Sequence, residues 1–285
     1  MNSAAAQFSA NGYAVFPDAV STQMLTTVRH RIEEMVTTFD ESAVSTEFST
    51  GDQSHGRDEY FLTSGDKTRF FFEEGVHAED GSLLVDKFAS LNKIGHAMHD
   101  LDPVFHLFCR SEVFRDAAAE VGMIHPLLLQ SMVIFKHPRI GGEVTPHTDH
   151  TFLWTEPQSV VGFWLAIDEA TVDNGCLWAL EGGHTMPVKS RFRRTPDDTA
   201  TSMEVFDETP YPEDGWVPLE AKPGTLIALH GSLPHRSSPN TSEDPRLAFT
   251  LHCIEAAADY PEDNWLRRGP ELPLSGFETT GFCGG

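Results

Sequence analysis

Apolar residues follow two textures along this chain. In the first they recur every three or four positions. Gly12-Tyr13-Ala14-Val15-Phe16-Pro17 is an aromatic and β-branched run closed by proline, which predicts a short strand. Ser21 is then placed to cap a helix carrying Met24, Leu25, Val28, Ile32, Met35 and Val36 on one stripe of period 3.6. Thr37 to Glu59 is polar and aperiodic and predicts a long surface loop, a candidate lid. Phe70-Phe71-Phe72, in a charged context, reads as a short strand or an anchor. Leu84, Phe88, Leu91, Ile94, Gly95 and Met98 predict a helix over Leu83 to Leu101. Ser111 to Val121 predicts another, capped by Ser111 and ended by Gly122.

Past Ile124 the texture changes. Short apolar runs alternate with Gly and Pro: Leu127–Phe135, Phe152–Leu153, Val160–Ile167, Cys176–Leu180, Thr225–Leu229 and Leu247–Ile254. That spacing marks a β-sandwich or barrel. No internal repeat and no Gly/Ser-rich linker divides the chain. The expectation is one domain over 1–285, mainly β with a helical N-terminal third. Residues 1–122 would be largely helical support, 123–258 the β core and 259–285 a tail.

Composition narrows the function. The chain has 285 residues, with 20 Lys plus Arg against 43 Asp plus Glu, a formal charge of −23. A surface this acidic repels polyphosphate backbones, so no nucleic-acid partner is expected. No run approaches the ~18 apolar residues of a spanning helix, so no membrane partner is expected either. The N-terminus lacks the basic start and apolar stretch of a secretory signal. The C-terminus, Phe282-Cys283-Gly284-Gly285, is neither a peroxisomal tripeptide nor a prenylation box. Cys109, Cys176, Cys253 and Cys283 form no CxxC pair, hence neither a disulfide framework nor a thiolate zinc site. A cytoplasmic protein acting on a small-molecule substrate, without an obligate protein partner, is the expectation.

The chemistry gathers around histidine. His147-Thr148-Asp149 puts an imidazole and a carboxylate two apart, and on a strand i and i+2 share a face. Alone, such a tripeptide is commonly a capped histidine and a turn aspartate. With a third histidine it becomes a 2-His-1-carboxylate set, which leaves open positions on Fe(II) for oxygen chemistry. His184, His230, His235 and His252 are the downstream candidates, with His235 and His230 foremost. Arg246 opens the apolar run Leu247–Leu251. A buried guanidinium needs an anion, and its fork matches a carboxylate. Fe(II), one carboxylate and one arginine leave two positive charges, which a dicarboxylate neutralises. 2-Oxoglutarate fits that balance. Lys189-Ser190-Arg191-Phe192-Arg193-Arg194 reads as a solvated loop balanced by Asp197 and Asp198, or as a receiver of an anionic substrate group.

An ordered set of stretches carries a resemblance over nearly the whole chain. They are Thr68-Arg69-Phe70-Phe71-Phe72-Glu73, Asn92-Lys93-Ile94-Gly95-His96-Ala97, Gln130-Ser131-Met132, and Gly141-Gly142-Glu143-Val144 leading to His147. Thr155-Glu156-Pro157, Asn174-Gly175-Cys176-Leu177-Trp178, His230-Gly231, His235, Ser237, Asn240, Arg246, Glu255-Ala256 and Glu262, Asn264, Trp265 follow. The sequence resembles the phytanoyl-CoA dioxygenase family of Fe(II)/2-oxoglutarate oxygenases. The resemblance implies a double-stranded β-helix, a cupin-like jelly roll, with helices packed on one sheet. It implies His147, Asp149 and His235 as catalytic iron ligands, and Arg246 and Ser237 on the distal carboxylate of 2-oxoglutarate. Lys93, Met132 and Trp164 match positions lining the cosubstrate pocket, although pattern alone makes Lys93 an exposed helix lysine and the other two core residues. O2 would be the co-reactant and ascorbate the reductant in vitro. Asp149 favours oxygenation, because related halogenases carry a small residue there. A non-oxidative cupin-like metalloenzyme and a non-catalytic binding protein are the alternative readings.

Overall fold

Nine consecutive residues of one strand, Pro126–Ile134, bring the N-terminal third and the β core together. The computed structural model describes residues 3–44, 47–48 and 59–278. In chain order the N-terminal third holds α1 (Ala4–Asn11), β1 (Tyr13–Phe16), α2 (Thr22–Thr38), β2 (Glu47–Phe48), α3 (Glu59–Leu62), β3 (Thr68–Glu73), β4 (Leu91–His96), α4 (Met98–Leu101), α5 (Pro103–Cys109) and α6 (Glu112–Glu120). The rest holds β5 (Pro126–Ile134), β6 (Val144–His147), α7 (Asp149–Phe152), β7 (Val161–Ala166), β8 (Leu177–Leu180), β9 (Ser190–Arg194), β10 (Thr201–Val205), β11 (Trp216–Leu219), β12 (Leu226–His230), β13 (His235–Ser237) and β14 (Ala248–Glu255). An eight-stranded sheet runs β1-β12-β7-β14-β5-β4-β3-β2, and a four-stranded sheet runs β11-β8-β13-β6. All pairings are antiparallel except β2 with β3. β9 and β10 form a separate hairpin.

The helices cover one face of the larger sheet. Alternate residues of its central strands, such as Phe163 and Leu165 on β7 and Phe249 and Leu251 on β14, join Val28, Ile32, Phe105, Phe108 and Phe114 in one apolar cluster. The opposite residues, such as Trp164 and Ala248, face between the two sheets. Both faces of β14 are therefore buried, and its sequence reads as one apolar run. α2 starts where expected: the Ser21 side chain accepts from the Met24 N–H, and Leu25, Val28, Ile32, Met35 and Val36 are buried. Asp102 caps α5 through the N–H groups of Val104 and Phe105, and takes Arg31 Nε of α2 at 2.7 Å.

Several expectations are corrected. The N-terminal third carries strands β1 to β4 as well as helices, and these strands join the same sheet as β5, β7, β12 and β14. Leu83 to Leu101 is not a helix. It contains β4 and the short α4, because a strand between β3 and β5 is buried on both faces and loses its alternation. Lys93 is thus a buried strand residue, not an exposed helix one. Phe152 ends α7 rather than lying in a strand. The segment Thr37 to Glu59 begins inside α2, continues with a 3-10 turn at Glu41–Ala43, and includes β2. Residues 45–46 and 49–58 of the expected lid lie outside the described residues, as does Cys283. The basic run 189–194 is a strand, and its cations are matched locally: Lys189 with Asp207, Arg191 and Arg193 with Asp263, Arg194 with Asp198. Among the described residues, no helix is long and apolar enough to cross a membrane.

Candidate metal centre

Two neighbouring strand ends and one helical turn make the site. β6 ends at His147 and β13 begins at His235, and the two residues face each other in the antiparallel pair. Their ring centroids lie 4.3 Å apart. Asp149 opens α7 immediately beyond β6. The expected shared strand face for His147 and Asp149 is therefore incorrect: the helical turn, not the pleat, returns the carboxylate. One ligand atom from each of His147, Asp149 and His235 lies within 4.8 Å of the others. Each histidine donates Nδ1–H to a backbone carbonyl, His147 to Thr145 at 2.9 Å and His235 to Leu233 at 3.0 Å. A carbonyl only accepts, so the hydrogen sits on Nδ1 and the Nε2 lone pair is available to a metal. Among the described residues this is the only such set of three.

The electrostatics suit a cation. Burial, then the neighbouring His235, push His147 down to about 4, which keeps its ring neutral. Burial opposes the charge on Asp149, but His252, His235 and His147 outweigh it and hold the carboxyl below its ordinary range. Asp149 Oδ1 lies 3.3 Å from His252 Nε2 and 3.7 Å from His235 Nε2. Asp149 Oδ2 is buried without a partner. Two imidazole nitrogens and one ionised carboxylate are a donor set that fits a hard or borderline divalent ion.

A cavity of about 110 Å³ opens beside these residues. One water needs only about 10–15 Å³ on a comparable measure. Met132, Trp164, Ser237 and Arg246 line it with the three candidate ligands. Arg246 is 2% exposed. Its guanidinium stands 5.7 Å from the Trp164 ring centre, and one Nη lies 3.4 Å from Ser237 Oγ. Its Nε and other Nη have no partner. Burial lowers the group to about 10, so it is still charged at neutral pH. Two unused donors on a buried cation are the complement of a carboxylate. Lys93 is not among the lining residues, although it pairs in register with Ile134, which is; its Nζ stands 5.2 Å from the Phe71 ring centre and 5.9 Å from that of Phe61. Burial holds it well below an ordinary lysine. Gly95, two residues on, faces Met132 across β4 and β5.

His230 takes no part in the triad. Its ring packs against Phe8 of α1 at 5.7 Å and His184 at 5.1 Å. His252 is not in the triad either, but lines the same cavity beside Asp149. Pattern analysis did not single out Gly162. A Cβ there would lie 2.7 Å from Asp149 Oδ2, and only the pairing of β7 with β14 reveals it.

The sequence profile described as phytanoyl-CoA dioxygenase (PhyH) matches residues 8–248. The chain belongs to that family. Phytanoyl-CoA dioxygenase of Arabidopsis thaliana is 42% identical over 264 residues, 92% of this chain and 91% of the relative. Phytanoyl-CoA dioxygenase domain-containing protein 1 of Bos taurus is 40% identical over 276 residues, 94% and 95% of the two chains. Among solved structures, the epimerase SnoN in complex with Fe3+, alpha ketoglutarate and nogalamycin RO superposes with a TM-score of 0.65 at 14% identity, covering 98% of this chain and 94% of that one. EctD from S. alaskensis with bound Fe gives 0.62 at 18% identity, covering 93% and 80%. At these identities the likeness is one of fold, and it places this member of the phytanoyl-CoA dioxygenase family on a mainly antiparallel β architecture shared with an epimerase that binds iron and alpha ketoglutarate and with an iron-bound EctD.

Proposed function

We propose that this protein is a non-haem Fe(II)- and 2-oxoglutarate-dependent dioxygenase, built on a double-stranded β-helix, that hydroxylates a C–H bond of a small molecule. The observation that carries the reading is the buried Arg246, with two donor nitrogens unused, in the same cavity as the His-Asp-His set. Among the described residues, no carboxylate forms an ion pair with that cation, and Asp168 acts on it only from a distance. With a dicarboxylate between it and a divalent metal, the charges of metal, Asp149, Arg246 and ligand cancel, and the guanidinium donors find acceptors.

When bound, iron and 2-oxoglutarate supply O2-dependent oxidation of a C–H bond, coupled to release of succinate and CO2. This chain's residues would do the rest. His147, Asp149 and His235 would hold the metal, and a 2-His-1-carboxylate set of this kind suits Fe(II) oxygen chemistry. Arg246 and Ser237 grip the distal carboxylate and set the orientation of 2-oxoglutarate. Trp164 and Met132 wall the cavity and exclude water. Lys93, on the strand beside Met132, is the remaining cosubstrate residue. The carbonyls of Thr145 and Leu233 fix both imidazole tautomers, so the ligands need no rearrangement when metal enters.

The test is succinate formation from 2-oxoglutarate by purified protein with Fe(II), ascorbate and O2, beside Asp149→Ala and Arg246→Ala. Turnover in the parent that vanishes in Asp149→Ala, with weakened 2-oxoglutarate binding in Arg246→Ala, is the expected result. Failure of the parent to bind 2-oxoglutarate overturns the proposal.

A further inference from the structure

On the larger sheet, lining the same cavity as the candidate ligands, is a pair the triad does not include. Gly162 of β7 and His252 of β14 face each other in register. Asp149 reaches this pair from α7. Its Oδ1 lies 3.3 Å from His252 Nε2, and its Oδ2 packs where a Gly162 side chain would begin. The same absent Cβ would stand 3.2 to 3.3 Å from the His252 ring. Carboxylate, imidazole and glycine thus occupy one space that admits nothing larger.

We propose that His252 is the positioning residue for Asp149, and that His252 and Gly162 together form the seat that turns the carboxylate toward the metal; this rests on the metal-site reading above. His252 is 5% exposed and its Nδ1 is buried without a partner. An apolar side chain of that size would avoid the unpaired atom, since an unsatisfied buried polar group is destabilising. Packing therefore does not explain a histidine here, whereas aiming Nε2–H at a carboxylate does. Asp149 is the candidate ligand without a backbone tether on its ligating group: both histidines are fixed by carbonyls, while Oδ2 has no partner. The seat supplies what the other two ligands obtain from the main chain. Gly162 has an ordinary strand backbone, so only space is at issue there.

The experiment uses the full chain stripped with chelator and Mn(II) alone as probe, with free Mn(II) read by electron paramagnetic resonance and folding by the thermal midpoint. Loss of a partner that orients a metal ligand typically weakens affinity about 10–100-fold. His252→Leu is expected to weaken Mn(II) binding within that range without a lower midpoint. His252→Gln, which keeps an N–H donor, is expected to recover most of the loss. Gly162→Ala, which displaces Oδ2, is expected to weaken binding similarly. Co(II) absorption of His252→Gln should match the parent, since a positioning residue is not a ligand; an altered ligand-field spectrum would overturn the assignment. Unchanged Mn(II) affinity in folded His252→Leu overturns the inference and leaves the proposed function standing. If His252→Leu does not fold, unchanged affinity in Gly162→Ala overturns it instead. A parent that binds no Mn(II) overturns the metal reading itself, and this inference with it.

Discussion

Replacing Arg246 by Met should move stability and ligand binding in opposite directions. In the free protein two donors of a buried guanidinium have no protein partner. Each such group costs about 1–3 kcal/mol. Methionine keeps much of the stem volume and removes both. Against this, the contact with the Trp164 ring is lost, worth about 0.5–2 kcal/mol. Cavity water offsets part of the donor penalty, so a net gain of roughly 1–2 kcal/mol is expected. For a chain of this size that raises the midpoint by about 2–3 °C. Affinity for 2-oxoglutarate should fall. Truncating one partner of a buried, hydrogen-bonded charge pair costs about 2–5 kcal/mol, roughly 30-fold to 4,000-fold. Calorimetric scans of metal-free protein, with isothermal titration of 2-oxoglutarate into metal-loaded protein, read both effects. A variant several degrees less stable than the parent when metal-free would show that Arg246 is a structural ion-pair member, and would refute the reasoning. So would parental affinity for 2-oxoglutarate.

Three further outcomes follow from the packing and the buried charges. Phe249→Ala should lower urea stability by about 3–5 kcal/mol, because the ring is fully buried against Phe105, Phe108 and Phe114; a loss under 1 kcal/mol would mean the helical layer relaxes into the space. Asp100 bridges Arg110 at 2.6 Å and Arg268 at 2.9 Å in a buried network, so Asp100→Ala should destabilise by about 3–5 kcal/mol, an effect absent if the arginines simply re-pair. His137 is pushed down to about 4 by burial between Phe88 and Phe135. Its neutral form is favoured in the fold, so its contribution is complete above about pH 6.5 and is lost as pH falls through about 4, at no more than roughly 1.4 kcal/mol per pH unit. His137→Phe should flatten urea stability between pH 6.5 and 4, and an unchanged slope would assign the acid sensitivity elsewhere.

Much of the architecture is legible in the sequence, for physical reasons. Val161–Ala166 and Ala248–Glu255 are buried on both faces and read as apolar runs, while the stripe of α2 faces one way and reads as a helix. The same logic explains the misreading at Leu91–His96. A strand covered on both sides has no period of two, and its apolar residues happened to fall at helical spacing. β9 and β10 were hidden by charge, since Arg191 and Arg193 find acids on neighbouring segments that only folding brings near. At the site, residue types and order pointed to His147, Asp149 and Arg246. The choice of His235 over His230 was not in the pattern, because both flank the same turn; the resemblance favoured His235, and the structure turns His230 toward α1. The pairing of Gly162 with His252 is a property of strand register, and no local pattern encodes it.

The candidate ligands and the arginine come from different sheets. His147 and His235 stand on the four-stranded sheet, whereas Arg246 lies two residues before β14 of the eight-stranded one, its backbone paired with that of Lys136. The gap between the sheets is therefore a gauge. On the proposed function, one diacid reaches from one layer to the other, and the packing of the layers bears on the length it needs. On the same reading, a four-carbon or six-carbon 2-oxo diacid is expected to bind less tightly than the five-carbon one, and competition titration against 2-oxoglutarate reads the difference. One methylene in a fitted pocket is worth about 1–3 kcal/mol, and a stranded charge adds to that. The spacing of the two layers would then act as a selection rule on the length of the diacid.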